Sequence, residues 1–127
     1  MHDSGTTIGW KLDRREREAL LVQIPPLWPD IVADHVTLAA GVPPGTPLPE
    51  ETRGEIVGSV SDGEGLQAVV VRIGGSVDRP DGGIYHVTWS LDRGRGREAV
   101  ESNAVLARLG WVPFYAPVKV HLLPARL

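Results

Sequence analysis

Two identical triplets, His35-Val36-Thr37 and His86-Val87-Thr88, carry the residue types and spacing in this chain best suited to chemistry. In an extended strand, residues two apart project from one face, so each triplet presents an imidazole and a hydroxyl side by side. A neutral imidazole accepts a proton near neutral pH, its cation returns one, and a threonine hydroxyl can hydrogen-bond a phosphoryl oxygen. Two such half-sites facing each other supply a base, an acid and two oxygen-binding hydroxyls. That set suits in-line displacement at a phosphodiester without a metal: one histidine activates water and the other protonates the departing ribose oxygen, while Thr37 and Thr88 steady the charged equatorial oxygens. A 2′,3′-cyclic phosphate suits it best. Ring strain lowers the barrier left to two histidines, each worth about 10²–10⁴ in rate. The triplets are equivalent in type, so their residues do not say which histidine is the base and which the acid.

Taken singly, a strand histidine is ordinarily satisfied by a neighbouring backbone group; recurrence of the whole triplet is what singles out His35 and His86. His121 has no Thr or Ser at i+2 and reads as a structural or surface residue, and His2 sits in a polar terminal stretch. Val36, Val87 and Trp89 alternate away from the triplet side chains and should face the core. Trp10, Trp28 and Trp111 could stack on a base, but nothing in their spacing selects one, and they read as packing residues. The basic run Arg93-Gly94-Arg95-Gly96-Arg97 follows the second triplet, so Arg93, Arg95 and Arg97 are expected as possible contacts to a substrate phosphate or RNA backbone; a solvated loop is the competing reading. Asp34 beside His35 raises the question of a metal. Adjacent strand residues face opposite ways and the spacing matches no common zinc pattern, so no metal or other cofactor is expected. The chain has no P-loop, no Gly-x-Ser-x-Gly and no dinucleotide fingerprint.

The elements that must position these residues follow from periodicity and turn chemistry. Residues 1–9 are polar and read as loose. Asp13 can cap a helix from Arg14 to about Val22, with Glu16 at the capping-box position and Pro25-Pro26 as its stop. The β-branched run 31–40 reads as one strand carrying the first triplet. Segments 55–61 and 67–73 form a hairpin through Asp62-Gly63-Glu64-Gly65, and 84–91 is a further strand carrying the second triplet. A short helix over 103–109, capped by Ser102 or Asn103 and stopped by Gly110, precedes a last strand at 118–123. About five strands and two helices without strict alternation make an α+β domain. Loops 41–54 and 74–83 are expected to decide specificity.

At 127 residues the chain fits one domain. A formal net charge of −3 argues against gripping long duplex nucleic acid through a field of phosphate contacts, though not against a short or terminal nucleotide. Cysteine is absent, so there is no disulfide framework, thiolate metal cluster or cysteine nucleophile. No leader-like or membrane-spanning apolar run occurs, and a cytoplasmic protein with no membrane and no obligate protein partner is the default expectation.

Around the first triplet, Ala33-Asp34-His35-Val36-Thr37-Leu38-Ala39, and around the second, Tyr85-His86-Val87-Thr88-Trp89, the chain resembles the 2H phosphoesterases, which carry two His-x-Thr/Ser motifs. The likeness is strongest to the cyclic phosphodiesterase domain of plant and fungal tRNA ligases, and residues 98–106 are similar to the small and polar stretch that follows there. It covers residues 31–41 and 84–106 well, and 42–83 only by order of elements. The resemblance implies a compact, pseudo-symmetric, two-lobed antiparallel sheet core with flanking helices. It also implies hydrolysis of a 2′,3′-cyclic phosphate, on an RNA end or a small cyclic nucleotide, to a 2′-phosphate. His35 and His86 would be its acid–base pair and Thr37 and Thr88 its phosphate ligands. A non-catalytic module that binds a nucleotide or RNA end in the same pocket is the alternative from another class.

Overall fold

The computed structural model describes residues 5–127; His2 and the rest of residues 1–4 lie outside that range. Strand β1, Thr6–Leu12, takes in residues expected to be loose. Its backbone pairs on both sides, with Trp10 packed to 1% exposure and edge-on to Tyr85, its indole N–H donating to Glu51 O at 2.8 Å. Helix α1, Arg14–Gln23, starts where expected, the Asp13 carboxylate accepting from Arg15 N at 2.8 Å. Glu16 does not complete a capping box. Its carboxylate instead accepts from the backbone N–H and the ring of His121, which lies exposed on the last strand.

The expected strand over 31–40 is two strands. Residues Asp30–Ile31 form β2 and His35–Val42 form β3. The remaining strands are β4 (Arg53–Ser61), β5 (Leu66–Arg72), β6 (His86–Leu91) and β7 (Val112–Arg126), with helix α2 (Ser102–Leu109) between the last two. They make one seven-stranded antiparallel sheet in the order β2-β6-β5-β4-β7-β1-β3, an α+β fold. Strand β7 is much longer than the expected 118–123 because its first part pairs with β4 and its last part with β1.

Strands β2 and β3 are consecutive in the chain yet occupy opposite ends of the sheet. The sheet must therefore curl until its ends almost meet. Val32 N and Ala33 N still bond to Trp89 O and Thr88 O of β6, at 2.9 and 3.0 Å, and the next carbonyl, Asp34 O, already accepts from Leu12 N of β1. The turn between the two pairings falls on Ala33, which adopts φ 40, a left-handed value costing a non-glycine residue roughly 1–2 kcal/mol. Arg17 of α1 pins this crossover, its Nε donating to Ala33 O at 2.9 Å and its Nη2 to Val32 O at 3.0 Å. Opposite Thr37, Gly9 allows β1 and β3 to lie close, since a Cβ there would stand 2.1 Å from Val36 O.

The valines of both triplets and Trp89 are fully buried, as alternation demands. Val36, Val87 and Trp89 join Trp10, Leu20 and Leu122 in one cluster under α1, and Leu66, Ala68 and Val70 pack with Leu106 of α2 in a second. The Trp89 indole N–H donates to Ile24 O at 2.8 Å, tying β6 to the end of α1. Among the described residues no helix is long and apolar enough to cross a membrane.

Candidate active site

His35 and His86 are each the first residue of their strand, β3 and β6. Because the crossover 32–34 leaves β6 and enters β1's other neighbour within three residues, the two strand starts are drawn together. A cleft of about 350 Å³ results, lined by His35, Thr37, His86 and Thr88 together. Thr7 and Ala40 close it on the β1/β3 side, Ala99, Val100 and Asn103 on the α2 side, and Arg79 reaches in from the β5–β6 loop.

The two histidines are held differently. His86 Nδ1 lies 2.8 Å from Ile84 O. A carbonyl only accepts, so Nδ1 carries the hydrogen, and Nε2 is the lone-pair nitrogen of the neutral ring. Burial pushes the His86 pKa below the usual imidazole value; the Ile84 carbonyl works the other way, and the positive charges of Arg79 and His35 add to the lowering. His86 is thus a neutral base at neutral pH. His35 Nδ1 instead donates to Asp34 Oδ2 at 3.1 Å, an oxygen that also accepts from Lys11 Nζ at 2.8 Å. Partial burial favours a protonated Asp34, but the hydrogen bonds and charges of Lys11 and His35 outweigh it, and the carboxyl pKa is lowered. An ionised carboxylate therefore backs His35 and offsets the ring's charge whenever Nε2 takes a proton.

That contact corrects the expectation that Asp34 faces away from His35. Strand alternation begins only at His35, and Asp34 belongs to the crossover, where it does not apply.

The two threonines also differ. The Thr37 hydroxyl has no partner among the described residues, whereas Thr88 Oγ1 is buried, donates to Ala99 O at 3.2 Å and lies 2.8 Å from Ser102 Oγ. Ser102 accordingly does not cap α2. The turn before the helix is capped by Glu98 and Glu101, the Glu101 carboxylate accepting from Glu98 N at 2.7 Å.

Arg93, Arg95 and Arg97, expected as possible substrate contacts, are not in this cleft. Arg93 follows the end of β6 whereas His86 begins it, a separation of roughly 20 Å at the rise of an extended strand, and none of the three arginines lines the cleft. Each of the last two has its own work. Arg95 pairs with Asp92 at 3.1 Å and covers the Trp28 ring at 5.4 Å, while Arg97 bridges Asp62 at 2.6 Å and Glu101 at 3.2 Å. Closeness in sequence was the wrong measure for residues joined by a strand. The arginine that does line the cleft, Arg79, precedes the second triplet in the segment Arg79-Pro80-Asp81-Gly82-Gly83, whose Pro-Asp-Gly signature marks a tight turn leading back to His86. No tryptophan lines the cleft: Trp10 and Trp89 are core, and Trp28 and Trp111 are partly buried elsewhere.

Searches against protein-family models, curated proteins and solved structures return no match to this chain.

Proposed function

We propose that the protein is a metal-independent 2H-type phosphoesterase that hydrolyses 2′,3′-cyclic phosphate ends of RNA, or a small cyclic nucleotide, to the 2′-phosphate. The observation that carries this reading is the convergence of both His-x-Thr pairs on one cleft with their Nδ1 atoms already engaged, which leaves Nε2 of each ring for the substrate. The finer 2H description of the fold belongs to the same reading: β6, next to one edge strand, and β3, the other edge strand, each bring one motif to a sheet that β7 runs through.

The asymmetry of the rings suggests their roles. Neutral, partly buried His86 takes a proton from water at Nε2 as the water oxygen attacks phosphorus. His35, backed by Asp34, gives its Nε2 proton to the departing O3′ as the P–O3′ bond breaks, leaving the phosphate on O2′. His86 ends protonated and His35 neutral, and exchange with solvent restores both. Thr37 is free to hold an equatorial oxygen, and Thr88 can do so once its hydroxyl turns from Ala99.

The test is incubation of the purified protein, with and without EDTA, with an RNA oligonucleotide ending in a 2′,3′-cyclic phosphate. A 2′-phosphate formed despite EDTA, and lost in folded His35→Ala and His86→Ala variants, supports the proposal. Ligand bound and recovered intact after long incubation would replace it with a non-catalytic binding role, and loss of turnover with chelator would replace it with a metal-dependent hydrolase.

A further inference from the structure

Thr88 is committed to Ala99 and Ser102, so on the His86 side of the cleft a threonine hydroxyl alone is a weak anchor for a charged phosphoryl group. Arg79 stands on that side. Its side chain is 9% exposed, it lines the cleft, and its buried Nε–H has no hydrogen-bond partner among the described residues. Buried donors in folded proteins are almost always paired, and Asp81 meets only Nη2; Nη1 also has no partner among the described residues, so the guanidinium at the wall of the cleft keeps donor capacity and charge for an acceptor from outside the chain.

The guanidinium is not there by default; the loop is built to hold it. Gly82 N bonds to Arg79 O at 3.0 Å and Arg79 N to Gly83 O at 2.8 Å, closing the turn, and Gly82 takes φ 95, where a side chain would be strained. Within the turn the Asp81 carboxylate accepts from Gly83 N through Oδ1 at 3.0 Å and from Arg79 Nη2 through Oδ2 at 2.6 Å. One edge of the guanidinium is thereby fixed to Asp81 while Nε remains unpartnered. Arg79 also sits close enough to His86 for its charge to bear on that ring.

We propose that Arg79 is the anion-binding residue of this cleft, taking the charged non-bridging oxygens of a phosphate ester, and that Asp81 positions it. The existence of an anion site rests on this geometry, and the identity of the anion as a cyclic phosphodiester rests on the phosphoesterase reading above. In the transition state the equatorial oxygens gain charge, so a fixed guanidinium stabilises them more than it stabilises the ground state. A donor whose orientation is set before substrate arrives needs no reorganisation during the reaction.

Inorganic phosphate and a cyclic-phosphate-ended RNA oligonucleotide serve as separate probes. Phosphate titrated into ¹⁵N-labelled protein should move the amides of Gly83, His86 and Thr88 saturably. Arg79→Gln should weaken that binding, and lower kcat/KM on the oligonucleotide, by about 10- to 100-fold, the range for loss of a charge-assisted hydrogen bond. Arg79→Lys, which keeps the charge but not the fork, should fall between the two, and covers the case in which Arg79→Gln does not fold. Asp81→Asn should weaken phosphate binding, and Asp81→Glu should restore most of it, a rescue that a purely structural role for the turn would not give. Phosphate binding by folded Arg79→Gln equal to that of the parent overturns the proposal, as does an unchanged kcat/KM in Arg79→Gln when the parent turns over, and this last result leaves the phosphoesterase reading standing. Phosphate binding that depends on Arg79 in a protein with no turnover upholds the anion site and overturns the phosphoesterase reading instead.

Discussion

Arg17 does not line the cleft, yet its bonds to the crossover make the cleft depend on it. Arg17→Met keeps the aliphatic stem and a comparable helix propensity while removing both donors to Val32 O and Ala33 O. Hydrogen bonds from a charged donor contribute about 1.5–3 kcal/mol each, and water can replace part of that at a half-buried site, so the substitution should cost roughly 2 kcal/mol. With an unfolding entropy near 2.1 cal/mol/K per residue over 127 residues, this lowers Tm by about 7 °C. His35 begins two residues beyond Ala33, so the loosened crossover should also misplace the acid and reduce kcat about tenfold with KM little changed. Urea unfolding, calorimetry and single-turnover hydrolysis measure the three effects. A Tm within 2 °C of the parent together with full kcat would refute the idea that α1 holds the two ends of the sheet together.

Other outcomes follow from the same geometry. The acid limb of kcat/KM should lie below pH 6.5, because a base whose pKa is lowered by burial stays deprotonated, and so active, until the pH falls through that lowered value; a limb above 6.5 in a pH–rate profile would contradict the role given to His86. Arg93→Gln should leave kcat/KM within about twofold, since Arg93 lies at the far end of β6, and a tenfold loss would return the basic run to the site. Arg97→Ala should instead destabilise by roughly 1–2 kcal/mol in denaturant unfolding, because the Asp62 side chain, 2% exposed, loses its ion pair but keeps the Glu64 and Leu66 N–H bonds on its other oxygen. Trp89→Phe should cost roughly 2–3 kcal/mol, from the lost bond to Ile24 O and the space left in a fully buried position.

Among the described residues no Trp, Tyr or Phe lines the cleft, and its walls beyond the polar residues are Ala40, Ala99 and Val100. If the proposed phosphoesterase reading holds, such a cleft should recognise phosphate and ribose rather than base. Oligonucleotides differing only in the terminal base should therefore show kcat/KM values within about threefold of one another in parallel assays; a strong preference would place a base-reading residue outside this cleft.

Much of the local structure was legible from spacing alone. Alternation put Val36, Val87 and Trp89 in the core, the Asp-Gly-Glu-Gly run announced the β4–β5 hairpin, and Asp13 and the two prolines bracketed α1. These features depend on near neighbours in the chain, where a period of two or a turn residue has the same meaning in any fold. The likeness of the two triplets was legible for the same reason, as a repeated pattern, but not the manner in which they meet.

What only the tertiary structure decided is the set of relations between distant segments. The run 31–40 looked continuous because it is dense in β-branched and apolar residues; it breaks at Ala33 because its two halves pair with β6 and with β1, a fact set by how far the whole sheet curls. The same curl made two equivalent triplets unequal, giving His35 a carboxylate and His86 a backbone carbonyl and a partly buried setting. It chose Arg79 over Arg93, Arg95 and Arg97, because a hairpin returns one loop to the start of β6 while the strand's own length carries the other away. Spacing along a chain constrains which face a residue takes, whereas its partners across the sheet are set by the packing of every strand at once.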